Sequence, residues 1–177
     1  LGVYGKSKAI GEEAIARVFA DTRSNGQYAI FRASWVYGDG GNFIRTILRL
    51  AKAHSSLRVI NDQYGVPTSA DWLAEVGSNL VLANSCLRDF RSGVYHATPS
   101  GATNWYGLAC LVTQLALDAN QELLVSPTEI TPIPASEYPL PAQRPMNSRL
   151  SSDKLKIELE RLGLVSKLPH WNTSWDE

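Results

Sequence analysis

Apolar residues recur at the spacing of helix turns in several segments, and these alternate with shorter apolar runs of strand length. Five segments show the pattern of an amphipathic helix: 4–22, one that begins after a cap at Asn42, 69–86, 103–118 and 150–162. Three shorter segments have the composition of strands: 28–34, 57–61 and 93–97. Because strands and helices alternate, the sequence predicts an α/β fold with parallel strands.

Two regions depart from this alternation. Residues 126–145 hold six of the nine prolines, so the sequence predicts an extended, irregular loop there. The tail at 169–177 is expected to form the first turns of one more helix. A glycine-rich loop at 38–41 follows a predicted strand, and we interpret it either as a loop beside a substrate pocket or as a flexible connector.

The charge balance limits the kinds of partner. The chain carries 17 basic and 17 acidic residues, for a net charge of zero, and 44% of its 177 residues are hydrophobic. That hydrophobic content suffices for a core, and the balanced charge does not favour nucleic acid or an anionic membrane surface. We therefore expect no nucleic acid and no membrane among the partners.

Metal-binding and redox motifs are not evident in the sequence. Cys86 and Cys110 are far apart and form no Cys-x-x-Cys pair, and the three histidines are scattered. The sequence predicts no metal site, and reduced cysteines are the ordinary state in a cytoplasmic protein. A cytoplasmic location is accordingly expected.

Tyr4 and Lys8 form the first candidate for chemistry. Residues four apart lie on one face of a helix, so both side chains would reach the same site. An ammonium group favours the ionised form of a nearby phenol, and such a phenol can donate a proton to a carbonyl oxygen while a hydride arrives. The ammonium can also hold ribose hydroxyls. The alternative is an ordinary amphipathic helix with a surface tyrosine and lysine.

A dinucleotide phosphate loop is missing from the sequence. No Gly-x-Gly-x-x-Gly or related motif follows a predicted strand. The run Gly38–Gly41 does not replace it, because its spacing differs and Asp39 would repel phosphate.

Longer strings resemble the dTDP-4-dehydrorhamnose reductase family of extended short-chain dehydrogenases/reductases. Besides the Tyr4 and Lys8 pair, the matching segments are 31–38, 41–43, 59–68, 93–96, 105–106 and 144–150. Their order and spacing match along nearly the whole chain. The Asn-Asp-Gln-x-Gly-x-Pro-Thr and Arg-Pro-x-Asn-Ser strings distinguish this family from related epimerases and dehydratases.

The resemblance implies a reaction and an architecture. The family uses NADPH to reduce the 4-keto group of dTDP-4-dehydro-β-L-rhamnose to dTDP-L-rhamnose, a precursor of bacterial surface polysaccharide such as O-antigen; NADH is a possible substitute. The chain would be the C-terminal portion of such an enzyme, without the nucleotide-binding half, and inactive alone. Residues 1–61 would belong to a Rossmann-like domain and 62–177 mainly to a substrate-binding lobe, with interleaved segments.

The resemblance also implies roles on the cofactor side. Tyr4 would be the general acid, and Lys8 would bind the cofactor ribose and tune Tyr4. Ala33 and Ser34 would follow the strand that passes the nicotinamide. Relatives often have Thr at the position of Ala33, so a hydroxyl contact there would be lost.

On the substrate side, the resemblance implies five residues. Trp35 would pack on the sugar ring, with a core tryptophan as the alternative. Asn42 and Phe43 would contact the nucleotide sugar. Arg144 and Arg149 are candidates for the diphosphate, because a guanidinium matches phosphate oxygens in a fork geometry. The alternative for each arginine is a surface position or an internal salt bridge.

Other interpretations are also compatible with the sequence. Asp71 occupies a position where some relatives have a metal or dimer contact, and a homodimer is possible. A non-catalytic module that binds nucleotide sugars would share the fold without the chemistry. A nucleotide-sugar epimerase or dehydratase would return the hydride to its sugar and consume no NADPH.

Overall fold

The computed structural model describes residues 2–21, 26–84, 90–138, 144–168 and 173–176. The helices in these ranges are α1 (Val3–Asp21), α2 (Phe43–Ala53), α3 (Ala70–Asn84), α4 (Trp105–Asp118) and α5 (Asp153–Arg161). The strands are β1 (Ala29–Arg32), β2 (Val36–Tyr37), β3 (Leu57–Ile60), β4 (Tyr64–Gly65), β5 (Thr68–Ser69), β6 (Gly93–His96), β7 (Thr103–Asn104) and β8 (Ile130–Ile133). None of the helices in the described part of the chain combines the length and apolar character that crossing a membrane requires.

The strands pair mostly in parallel, as the alternation predicted. β1 pairs with β6, β2 with β5 and β3 with β8, all in parallel, and only the two-residue strands β4 and β7 pair antiparallel among those described. Helices connect the parallel partners, as parallel pairing requires. The α/β fold with parallel strands is therefore confirmed.

The chain divides into two compact units that alternate along the sequence. The first unit comprises Leu1–Ala33, Trp72–Ala97 and Ser151–Trp171. The second unit comprises Ser34–Asp71, Thr98–Leu150 and Asn172–Glu177. A domain boundary close to residue 61 stays a prediction.

The core of the first unit lies where α3, β6 and α5 pack together. Val76 and Leu80 on α3, Tyr95 on β6, and Leu155 and Leu159 on α5 are each at most 1% exposed. The helical pairs are four residues apart, so each helix directs one face into this core. Burying each leucine contributes about 2 kcal/mol.

A buried carboxylate stands beside this core. Glu158 is 3% exposed and accepts hydrogen bonds from the Arg91 backbone N–H at 2.6 Å and from Arg161 Nη2 at 2.7 Å. The Arg161 hydrogen bond, followed by the Arg91 amide, holds the pKa of Glu158 below its ordinary value, against the effect of burial. The carboxylate thus joins α5 to the chain segment that precedes β6.

The core of the second unit lies between α2, α4, β3 and β8. Ala51 on α2 and Ala109 on α4 are fully buried, and such small residues let two helices approach closely. Ile47, Val59 and Ile130 fill the space around them.

The proline-rich region corrects one prediction. Residues 130–133 form a strand, β8, rather than irregular loop, because Ile130 and Ile133 are buried and pair with β3. Pro132 removes one N–H but leaves the Ile133 carbonyl to accept from the Asn61 N–H at 2.9 Å. Residues 139–143 lie outside the described residues.

Two end regions also differ from expectation. Helix α5 begins at Asp153 rather than at residue 150. In the tail, the described residues 173–176 form no helix; Ser174 makes a parallel bridge with Ser100, and a turn follows. The remainder of the expected tail helix lies outside the described residues.

Replacing Glu158 should destabilise the first unit. We expect Glu158→Gln to lower the free energy of unfolding by about 1–3 kcal/mol, because the Arg91 N–H and the Arg161 guanidinium lose a charged acceptor. Urea unfolding of the intact protein measures it. Folding lowers the pKa of Glu158 from its ordinary value of 4.5. The ionised carboxylate therefore stabilises the folded protein at pH values above 4.5, and this stabilisation is lost as the pH falls through the folded-state pKa. Glu160→Gln on the exposed face of α5 is the control; equal losses in both variants contradict the interpretation.

Candidate functional site

Tyr4 and Lys8 lie on α1, one turn apart, as the spacing predicted. Both side chains are exposed, and the Lys8 Nζ lies 5.5 Å from the centroid of the Tyr4 ring. The predicted helix and the shared face are confirmed, and both polar groups are open to a ligand.

Helix α1 is fastened by few contacts. None of its residues, Val3–Asp21, is buried. Glu12 accepts two hydrogen bonds from Arg32 Nε, at 2.9 and 3.2 Å, and pairs with the rest of that guanidinium. Phe19 contacts Tyr28 with ring centroids 5.0 Å apart. Arg32 ends β1, so the ion pair ties the helix carrying Tyr4 to that strand.

Ala33 and Ser34 follow β1 directly. Ser34 is 3% exposed, and its hydroxyl accepts a hydrogen bond from the Val66 N–H at 3.1 Å. The side chain therefore has a structural function in the second unit. Cofactor contacts by Ala33 and Ser34 stay predictions.

A cavity of about 610 Å³ opens in the second unit. It contains three of the five residues predicted to bind substrate: Asn42, Phe43 and Arg144. Others in its lining are Thr46, Leu50, Arg58, Gln63, Trp105 and Tyr138. The volume is that of a typical site for a small organic ligand.

Asn42 also has structural work at the edge of this cavity. Its Oδ1 accepts from the Arg45 N–H at 3.0 Å, which confirms the predicted helix cap. Its Nδ2 donates to the Gly38 and Gly40 carbonyls at 2.8 and 3.0 Å. Both amide hydrogens are thus engaged, and a ligand can use only the remaining acceptor capacity of Oδ1.

Trp35 lines a smaller cavity of about 120 Å³, which shares Asn42, Phe43 and Trp105 with the larger one. Its indole stacks on Trp105 with centroids 3.7 Å apart and planes 16° from parallel. One face of the Trp35 ring is therefore covered by protein, and a sugar ring has to use what remains.

The two predicted phosphate-binding arginines differ in surroundings. Arg144 is exposed at the wall of the large cavity. Arg149 instead lies over the Tyr64 ring, 5.4 Å from its centroid, and its Nε donates to Asn147 Oδ1 at 2.9 Å. Arg149 is not among the residues that line the cavity, so the structure brings only Arg144 to the other candidates.

The sequence predicted no ligand-binding role for the other residues that line the cavity. Trp105 and Gln63 belong to the strings that carry the family resemblance, which was the available signal, but neither was predicted to bind a ligand. Tyr138 lies in the proline-rich region, where no pattern identifies it. Asp62 accepts a hydrogen bond from the Ala135 N–H, 73 residues along the chain, at 3.0 Å.

Metal ligands do not cluster in the part of the chain that the structure describes, where no group of three or more His, Cys, Asp or Glu side chains converges. Asp71 is exposed near the start of α3. Cys110 is a free thiol, and Cys86 lies outside the described residues.

The chain is similar to known proteins over nearly its whole length. The family model described as RmlD substrate binding domain matches residues 1–176. The dTDP-4-dehydrorhamnose reductase of Escherichia coli K12 is 41% identical over 172 residues, which are 97% of this chain and 53% of the relative. The chain belongs to the dTDP-4-dehydrorhamnose reductase family.

Solved structures of the family show the same fold. A dTDP-4-dehydrorhamnose reductase from Clostridium acetobutylicum matches with a TM-score of 0.70 and 31% identity, over 94% of this chain and 55% of that one. One from Bacillus anthracis, in complex with NADP, matches with a TM-score of 0.71 and 26% identity, over 98% and 52%. The chain thus has the fold of the C-terminal part of an extended short-chain dehydrogenase/reductase and spans about half the length of the relatives it matches.

The ion pair that fastens α1 generates a prediction. We expect Glu12→Gln to lower the free energy of unfolding by about 0.5–1 kcal/mol, since a partly exposed ion pair contributes modestly. Arg32 lowers the pKa of Glu12, so the effect is present above the ordinary carboxyl pKa and fades as pH falls through the folded value. Urea unfolding at neutral and acid pH measures it. Glu13→Gln, at the exposed neighbouring position, should have no comparable effect.

Proposed function

We propose that the protein carrying this chain reduces the 4-keto group of dTDP-4-dehydro-β-L-rhamnose to dTDP-L-rhamnose with NADPH. The observation that carries the proposal is the cavity in a reductase-family chain, lined by Asn42, Phe43 and Arg144. The NADP complex of the Bacillus anthracis relative supports the choice of cofactor. The 177 residues alone are expected not to oxidise NADPH, because the sequence has no glycine-rich dinucleotide loop.

Tyr4 and Lys8 fit the chemistry at the cofactor side. NADPH, when bound, supplies the hydride that forms the new C–H bond at C4 of the sugar. The Tyr4 hydroxyl donates its proton to the C4 oxygen, so that the carbonyl becomes an alcohol. The Lys8 ammonium, one turn away, stabilises the phenolate that Tyr4 becomes and can donate to ribose hydroxyls.

The large cavity fits a nucleotide sugar. Phe43 and Trp105 offer aromatic surface, and their rings are in contact, with centroids 4.6 Å apart. They are the first residues of α2 and α4, so two electropositive helix N-termini lie at the wall of the cavity that Arg144 also lines. An anionic diphosphate between an aromatic wall and this positive charge is the ligand such a lining favours.

We propose that the product feeds bacterial surface polysaccharide, including O-antigen, and that the enzyme works in the cytoplasm. Neither a metal nor a nucleic acid enters the proposal, and a homodimer is compatible with it. Two alternatives differ in chemistry: a module that binds the nucleotide sugar without reducing it, and an epimerase or dehydratase that conserves NADPH.

NADPH consumption by the intact protein separates these functions. We expect NADPH oxidation with dTDP-4-dehydrorhamnose, and Tyr4→Phe should lower kcat by about a hundredfold to ten-thousandfold, since the proton donor is lost. Lys8→Ala should also lower activity, whereas Lys6→Ala, on another face of α1, is the control. Binding of the sugar without oxidation supports the module, and turnover without net NADPH loss supports an epimerase or dehydratase.

Arg144 should dominate diphosphate binding. We expect Arg144→Ala to weaken binding of dTDP-L-rhamnose to the intact protein by about tenfold to a hundredfold, because hydrogen bonds to charged groups are lost. Arg149→Ala should have a smaller effect, since its guanidinium lies over the Tyr64 ring and does not line the cavity. Calorimetric titration measures the affinity, with the exposed Arg49→Ala as control. Unchanged affinity in Arg144→Ala would remove this arginine from the proposed site.

A further inference from the structure

Trp35 has a backbone conformation that its residue type rarely adopts. Its φ is 40°, in the left-handed region that residues other than glycine rarely adopt. A residue persists in that region only where its surroundings hold it. The contacts around Trp35 therefore decide where its indole lies.

Gly65 provides the space for that indole. A Cβ added at Gly65 would lie 2.4 Å from Trp35 Cε2, 2.7 Å from Cζ2 and 2.8 Å from Cδ2. These atoms belong to a rigid ring, so the ring as a whole would have to move. Any side chain at residue 65 is thus incompatible with the present position of Trp35.

Trp105 covers a face of the same ring. The two stacked indoles have centroids 3.7 Å apart. Asn104, the last residue of β7, caps α4 by accepting a hydrogen bond from the Gly107 N–H at 2.7 Å, and this cap fixes the position of Trp105. The β4–β7 pair aligns Gly65 with Thr103, two residues before Trp105. One antiparallel pair therefore brings both supports to Trp35.

We propose that Gly65 and Trp105 are positioning residues that fix the Trp35 indole in the wall of the smaller cavity, which shares Asn42, Phe43 and Trp105 with the larger one. Gly65 leaves the volume that the ring occupies, and Trp105 sets its plane. That Trp35 contacts the sugar rests on the proposed function; the positioning itself rests on the contacts among the three residues. Neither Gly65 nor Trp105 needs to touch the reacting atoms.

Indole N–H resonances of the intact, tryptophan-labelled protein report the ring positions without turnover. The resonances of Trp35 and Trp105 are assigned from Trp35→Phe and Trp105→Phe, which each remove one. We expect Gly65→Ala to shift both resonances and to raise KM for the sugar at least about tenfold, with a much smaller change in kcat. Gly40→Ala is the matched control for the resonances, because its added methyl meets nothing within 4 Å.

The Trp105 variants test the second support independently, including the case in which Gly65→Ala does not fold. We expect Trp105→Ala to shift the Trp35 resonance and to raise KM by about fivefold to tenfold, and Trp105→Phe to restore most of the affinity, since a stacked ring remains. A Trp35 resonance unmoved by Gly65→Ala or by Trp105→Ala overturns the proposal, as does equal loss of affinity in both Trp105 variants. Absence of reductase activity in the unmodified protein overturns the proposed function only, since the resonances need no turnover.

Discussion

The second unit depends on the way the chain bends directly after β1. Ser34 is buried and receives the Val66 N–H, while the next residue, Trp35, adopts a positive φ and accepts from the Thr68 N–H at 3.2 Å through its carbonyl. These two bonds hold the segment that contains Gly65 against the segment that contains Trp35. The strand pair β2–β5 continues from the same point, with Val36 aligned to Thr68. A relaxed backbone at Trp35 would move the indole and this pairing together.

The helices at the cavity are held by a second constraint, the capping of their first turns. Asn42 and Asn104 each place a side-chain oxygen on an orphan backbone N–H, and each is followed directly by an aromatic residue, Phe43 or Trp105. Because the cap fixes the first turn, it also fixes where these rings stand. The two asparagine caps thereby position the two aromatic rings in the cavity wall. In each case, the cap and the ring are adjacent in the sequence.

Long periodic elements of this fold could be predicted from the sequence, and short strands could not. The helices α1 to α4 begin close to the predicted residues, because their apolar spacing and Asn caps are local signals. The two-residue strands β2, β4, β5 and β7 have no periodicity to detect, since their pairing depends on residues elsewhere in the chain. β8 was hidden for another reason: Pro132 signals a loop, but the burial of Ile130 and Ile133 against β3 outweighs one missing N–H.

Prediction of the site was limited by what a motif match can distinguish. The string from Arg144 to Arg149 does not distinguish the two arginines. In the structure, the Arg149 guanidinium lies over the Tyr64 ring, whereas Arg144 lines the cavity. Asn42 lines the cavity but also has a structural role, since its amide N–H groups donate to the Gly38 and Gly40 carbonyls. Residues of a shared string can thus serve the scaffold, the ligand or both. These roles are distinguished by the donors and acceptors of a side chain that the protein itself does not use. By this comparison, Arg144 is better suited than Asn42 to recognise a charged ligand.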